Sequence, residues 1–241
     1  MQNVDKWTPT KFINSKGKFK ASSDTTKVGF GYRFIGDIQA KNYSELIKKY
    51  ASGILLDLGC GEVALYQMYL PYVKKVYCAD WPNSTHNNSF LDIHLNINQM
   101  LPFKENSFDT IVLTDVLEHL QKPDIVWREI KKILKPNGKL IIGVPFMHLL
   151  HEEPHDYFRF TEFRLKLFCQ ENTLKILTIF PYGGALEVLF DISAKLISKS
   201  KIASTIFYLS SRLISKSLIG RKICKLTSLK YPLGYCLVAE K

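Results

Sequence analysis

Apolar positions along this chain follow two spacings that alternate. Short continuous runs recur at 54–58, 73–79, 93–97, 108–114, 139–144, 174–180 and 233–239, each the length of a strand. Between several of them the spacing is helical. Residues 36–51 place Ile38, Tyr43, Leu46, Ile47 and Tyr50 on one face, and 63–72 place Val63, Tyr66, Gln67 and Leu70 on one side. Residues 123–135 read as a helix opened by Pro123, with Pro136-Asn137-Gly138 turning the chain into the next run. Thr161 is placed to cap a helix over 161–170. Strands alternating with helices predict a parallel α/β sheet with helices on both faces. In such sheets ligands bind beyond the carboxyl ends of the strands.

Both ends break the rhythm. In residues 1–36, Lys11, Lys16, Lys18, Lys20 and Lys27 are interspersed with Phe12, Ile13, Phe19 and Phe30. This predicts a poorly regular basic arm tucked on by its aromatics, or a lid over a binding cleft. Residues 181–231 carry two helical stripes. Leu186, Leu189, Phe190, Leu196 and Ile197 lie opposite Glu187, Asp191, Lys195 and Lys199; Ile202, Ile206, Leu209 and Leu213 lie opposite Lys201, Thr205, Tyr208 and Arg212. The division is therefore an arm at 1–36, a core at 37–180, a helical basic insertion at 181–231 and a last core strand at 232–241.

Charge follows the same division. The net formal charge of +11 splits into +6 for residues 1–50, −2 for 51–180 and +7 for 181–241. Two basic regions flank a near-neutral centre, which suits an anionic partner: nucleic acid, a membrane surface or a phosphorylated substrate. The five cysteines are odd in number, lack a Cys-x-x-Cys pair and mostly sit in apolar runs, as reduced core thiols of a cytoplasmic protein do. The first ten residues lack the apolar stretch of a signal peptide, and no run reaches the length of a spanning helix.

The chemistry concentrates at the strand ends. Leu55-Leu56-Asp57-Leu58-Gly59-Cys60-Gly61 reads as a strand, a glycine turn and the start of a helix. That arrangement brings a ligand close to backbone N–H groups, and a Cβ at Gly59 or Gly61 would stand in its way. Asp80 closes the second run, about twenty residues beyond the glycines, where a carboxylate accepts hydrogen bonds from the vicinal hydroxyls of a ribose.

These stretches resemble class I S-adenosylmethionine-dependent methyltransferases with a type 11-like methyltransferase domain. The glycine turn is similar to their first motif, and Asp80 matches their acidic residue. The resemblance extends through Leu101-Pro102-Phe103, Asp115-Val116-Leu117-Glu118-His119-Leu120 and Leu134-Lys135-Pro136-Asn137-Gly138, covering roughly residues 53–180. It implies a Rossmann-like, mainly parallel seven-stranded sheet with its last strand antiparallel and a helical insertion before that strand. It also implies S-adenosylmethionine as cofactor, bound by Asp57, Gly59, Cys60, Gly61, Asp80, Trp81, Asn96, Ile97 and Asp115. Two departures stand out: Val63 replaces the third small residue of the glycine motif, and Asn96 stands where relatives often carry an aspartate facing the adenine amino group.

Candidates for acceptor chemistry lie at 148–159, where His148, His151 and His155 mix with Glu152, Glu153 and Asp156. His155 is the expected base, oriented by Asp156, with His119 as the second candidate. A metal is not expected, because Pro154 interrupts any helical pair of ligands. The expected activity is O-methylation of a sugar or a lipid-linked glycan. RNA methylation and a noncatalytic S-adenosylmethionine-binding subunit are the alternatives. The expected partners are a small-molecule or glycan acceptor and, through 185–226, an anionic membrane surface, with nucleic acid less favoured.

Overall fold

The computed structural model describes residues 1–82 and 88–241. The chain opens with a hairpin, β1 (Phe12–Ser15) and β2 (Lys18–Ala21), paired antiparallel. Its two-residue turn has Lys16 at φ 52° and Gly17 at φ 78°, the left-handed pair that tight hairpins favour. The arm is therefore more regular than its sequence predicts. It packs on α1 (Arg33–Tyr50), which starts three residues earlier than the apolar spacing indicates.

The core then alternates as expected. β3 (Ile54–Leu58), β4 (Lys75–Asp80), β5 (Ile93–His94), β6 (Phe108–Thr114), β7 (Leu134–Pro145), β8 (Lys175–Tyr182) and β9 (Gly234–Glu240) form one sheet in the order β5-β4-β3-β6-β7-β9-β8. The strands from β5 to β7 are parallel, and β9 runs antiparallel to both β7 and β8. After β3 the chain winds outward to β4 and β5, and then returns to place β6 on the other side of β3. The carboxyl ends of β3 and β6 are thus the switch point at which such sheets bind ligands.

Each face of the sheet buries its own layer. On one face α3 (Pro123–Ile133) and α4 (Glu162–Glu171) bring Trp127 and Phe168 into a stack 5.1 Å apart. Thr161 caps α4 by accepting a hydrogen bond from the Arg164 N–H. On the other face α1 packs beside the short helix α2 (Tyr66–Tyr69), burying Tyr43, Ile47, Met68 and Tyr69. The helix expected over 63–72 is much shorter than its apolar spacing indicates. Val63 takes φ 55°, outside the right-handed region, so the chain turns before it coils.

Between β8 and β9 lie α5 (Ala185–Leu196), α6 (Lys201–Lys216) and α7 (Leu218–Thr227). Their orientation reverses the ordinary one. α6 buries Ser204, Tyr208, Ser211 and Ser215, whereas Ile202, Ile206, Leu209 and Leu213 face outward at 57–76% exposure. On α5 the Asp191 side chain is buried with Lys195 as its ion-pair partner, while Leu189 and Leu196 are exposed. The outward stripe is thus a property of α6; on α5 Leu186, Phe190 and Ile197 are half-buried, and Phe190 packs edge-on against Phe34 and Phe207. The inward polar face is held by specific bonds: Tyr208 donates to Asp37 at 2.7 Å, and the Arg212 guanidinium lies 3.5 Å from the same carboxylate. Among the described residues no helix is long and apolar enough to cross a membrane.

Candidate active site

A cavity of about 890 Å³ lies at the carboxyl ends of β3, β4 and β6. It is lined by the glycine turn (Gly59, Cys60, Gly61), by Asp57, Asp80, Trp81, Asn96, Ile97 and Asp115, and on its far side by His119 and His155. The residues expected at the cofactor are thus brought together in one place.

The glycine turn works differently from the expected pattern. The N–H groups of Gly59 and Cys60 both donate to the Ala79 carbonyl, at 2.8 and 3.3 Å. The Gly61 N–H donates to Asp80 Oδ2 at 2.6 Å. These three donors are engaged within the protein, and α2 begins only at Tyr66. The turn therefore supplies close approach rather than an anion-binding helix terminus, which suits a ligand whose reacting end is a cation. Gly59 has φ 75°, and a Cβ there would lie 2.5 Å from a methyl of Val116.

Asp80 is held by two backbone donors, Gly61 and Trp81, each at 2.6 Å. A carboxylate offers about four lone-pair sites, so the hydroxyls of a ribose can add to these bonds. Ile97 is buried and forms an apolar wall, while the Asn96 side-chain oxygen accepts from the Asn98 N–H at 2.9 Å and shapes the adjoining turn. Asp57 is buried beneath the turn and accepts from the Tyr69 hydroxyl at 3.1 Å; burial pushes its carboxyl up to about 7. The cradle, the apolar wall and the anchored carboxylate fit S-adenosylmethionine, whose sulfonium would supply an electrophilic methyl group.

Asp115 has a second task that its motif does not reveal. At φ 55° it turns its carboxylate to Gln39 and Tyr43 of α1, at 3.1 and 2.9 Å, and to Lys11 of the arm at 3.2 Å. Lys27 likewise meets Glu62 of the glycine turn at 3.3 Å. Thr10, Lys11, Phe12, Thr26 and Lys27 line the cavity, so the arm forms part of its wall. Gln39, Tyr43 and Lys11 were not singled out from the sequence as site residues; the alternation of lysine and aromatic residues was the only signal for the last.

The expected His155–Asp156 dyad does not form. Asp156 instead pairs with Arg159, at 2.5 and 2.7 Å, and accepts from the His151 backbone N–H at 3.0 Å. The Arg159 guanidinium holds its carboxyl down at about 2. The His155 ring packs edge-on against Trp81 at 5.5 Å, and its Nδ1 meets the Tyr157 hydroxyl at 3.0 Å. His119 Nδ1 lies 2.6 Å from the His155 carbonyl. Beneath these imidazoles sits Glu118, fully buried, which the sequence showed only as part of a motif. Burial raises its carboxyl above the usual range, and its imidazole neighbours counter this only in part.

Residues 56–142 match the family model described as "Methyltransferase domain". An uncharacterized protein of Methanocaldococcus jannaschii is 29% identical over 157 residues, 58% of each chain. Thiol S-methyltransferase TMT1B of Rattus norvegicus is 35% identical over 100 residues, 36% of this chain and 40% of its own length. The chain thus spans less than two thirds of these curated relatives. Among solved structures, a SAM-dependent methyltransferase from Archaeoglobus fulgidus aligns over 88% of this chain and 98% of its own, with a TM-score of 0.56 at 12% identity, a likeness of fold. The matched domain, the sheet order and the cofactor cradle converge: residues 56–142 are a methyltransferase domain, set in the seven-stranded sheet of the class I S-adenosylmethionine-dependent methyltransferase fold.

Proposed function

We propose that this chain transfers the methyl group of S-adenosylmethionine to a hydroxyl of a sugar or lipid-linked glycan presented at an anionic membrane surface. The observation that supports this reading is the outward apolar face of the insertion. Leu213 and Leu218 are 75% and 86% exposed, and Lys199, Lys201, Lys216, Arg221, Lys222 and Lys225 of the same insertion are exposed. A contiguous apolar face rimmed by cations suits a helix lying in the interface of a bilayer. Each basic residue there contributes about 1 kcal/mol, screened within a Debye length. The face is linked to the cleft through α5: Lys195 Nζ lies 3.2 Å from His148, whose ring meets His151 at 5.0 Å, which meets His119 at 4.7 Å.

Methyl transfer is a single displacement, so aligning the acceptor oxygen with the methyl carbon and sulfur lowers most of the barrier, by roughly 7–11 kcal/mol in oriented systems. A hydroxyl also needs its proton removed, and His155 at the cavity wall is the proposed base. His155→Ala should lower turnover by about 10²–10⁴-fold while cofactor affinity stays unchanged.

The test is sedimentation with vesicles, with and without anionic lipid, at low and high salt, paired with methyl-donor turnover on lipid extracts, sugar nucleotides, RNA and small thiols. Binding should rise with anionic lipid and fall with salt, and lipid extracts should be labelled. Protein that stays in the supernatant with strongly anionic vesicles at low salt would sink the membrane reading. Labelling of thiols alone would favour a second reading, S-methylation, which the name of the Rattus norvegicus relative raises.

A further inference from the structure

Glu118, His119 and His151 come from the loops after β6 and β7, and their ligand atoms lie within 4.8 Å of one another. The Nε2 atoms of both imidazoles are 3.8 Å from Glu118 Oε1, and Glu152 Oε2 is 3.9 Å from the His119 nitrogen. Neither Glu118 oxygen has a hydrogen-bond partner among the described residues, although the side chain is fully buried. A buried carboxylate without compensation is strongly unfavourable.

The tautomers follow from the acceptors around each ring. His119 Nδ1 faces the His155 carbonyl at 2.6 Å, and a carbonyl can only accept, so that nitrogen carries the proton. His151 Nδ1 faces the Leu149 carbonyl at 3.3 Å and the Asp156 carboxylate at 3.2 Å, so it too carries a proton. In both neutral rings the lone pair therefore sits on Nε2 and points at Glu118. Two lone pairs and an anion converge on one point. Orientation of a ring through its far N–H by a carbonyl or carboxylate is the arrangement that metal-ligating histidines have. Asp156, itself clamped by Arg159, plays that part for His151.

We propose that Glu118, His119 and His151 bind one divalent transition-metal ion beside the cofactor cavity, with Glu152 within reach as a further ligand. One carboxylate and two imidazoles suit Zn²⁺, Co²⁺, Fe²⁺ or Mn²⁺ better than Mg²⁺ or Ca²⁺. The ligand atoms of a tetrahedral ion with bonds of about 2.1 Å are about 3.4 Å apart, so the three side chains need to draw in by less than about 1.5 Å. His119 and Glu152 line the cavity, so the ion would sit at its wall. Resting on the methyltransferase reading, the ion would hold the acceptor hydroxyl and ease loss of its proton to His155 or water. The oxygen pair then bonds to the methyl carbon as the carbon–sulfur pair leaves on sulfur, with no change of oxidation state.

The test is titration of the metal-stripped full chain with Co²⁺, followed by its visible absorption. Wild type should take up one Co²⁺ per chain with bands of nitrogen and oxygen ligation, and Glu118→Gln and His151→Ala should each bind more than about 100-fold more weakly. Asp156→Asn, a change in a positioning residue, should weaken binding by about 10–100-fold and serves if a ligand variant fails to fold. Wild type without stoichiometric uptake, or variants that bind like wild type, would overturn the site and leave protons as what reconciles the cluster. Equal turnover of stripped and loaded protein would overturn the role in proton loss. The methyltransferase reading fails separately, as absence of S-adenosylmethionine binding by calorimetry.

Discussion

Helices α3 and α6 carry similar apolar stripes and point them in opposite directions. α3 lays Val126, Trp127, Ile130 and Ile133 against the sheet. α6 turns Ile202, Ile206, Leu209 and Leu213 away from the protein and buries serines and a tyrosine instead. The difference lies in what each inner face can do. The sheet offers α3 an apolar surface, and burial against it stabilises the fold by about 25 cal/mol per Å². α6 has Asp37 beneath it, and the Tyr208 hydroxyl and Arg212 guanidinium meet that carboxylate. Two of the inner serines avoid isolation: Ser204 donates to the Ile197 carbonyl and Ser211 to that of Phe207, whereas the Ser215 hydroxyl is buried without a partner among the described residues. Periodicity shows that a helix has an apolar face; it does not show what covers that face.

This contrast predicts where substitutions act. In the core, Trp127→Ala should cost about 3–5 kcal/mol of folding stability in urea titrations. A cost under about 1 kcal/mol would mean that α3 does not anchor the sheet. Next comes Asp57, whose folded carboxyl at about 7 lies above an unfolded aspartate near 3.9. Below about pH 4 both states hold the proton. As pH rises toward 7 the unfolded chain releases it and the folded chain keeps it, so the folded state loses stability, and the loss levels off above 7. Asp57→Asn lacks this loss, so its advantage over wild type should grow by up to a few kcal/mol between about pH 4 and 7. Unfolding midpoints that differ by a constant amount across that window would contradict the desolvation of Asp57.

Smaller effects follow. Asp80→Ala should weaken S-adenosylmethionine binding by about 1.5–3 kcal/mol in calorimetry, the worth of charge-assisted hydrogen bonds. Unchanged affinity in a folded variant would remove the ribose assignment. Smallest of all in folding free energy are Ile206→Ser and Leu213→Ser on α6, each within about 0.5 kcal/mol of wild type in solution. The same two changes should sharply reduce vesicle binding. Large destabilisation without loss of vesicle binding would erase the contrast with α3.

The sheet was legible because most strands centre on a short apolar run, a pattern that survives without knowledge of neighbours; β7 departs from it, beginning at Leu134 and running through the Pro136-Asn137-Gly138 stretch expected as a turn. The hairpin was not, because its strands are four residues long and half polar, although Lys16-Gly17 is a turn pair in retrospect. The gathering of Gly59, Gly61 and Asp80 around one cavity was legible, because they lie on consecutive elements. The histidine cluster was not. Glu118, His119 and His151 meet across two loops, and Asp156 turns to Arg159 rather than to its neighbour His155. Pairings of this kind depend on how loops pack, which no local spacing records.

Gly59 bears on how such chains are to be recognised. A side chain there collides first with Val116, so two neighbouring loops exclude it before any small molecule does. A descendant that had abandoned methyl transfer would keep this glycine as long as it kept the two loops in contact. The residue testifies to a shared architecture and is mute about turnover. Sorting working enzymes from retired ones in a family tree therefore calls for positions that no loop contact already holds in place, and this glycine is not one of them.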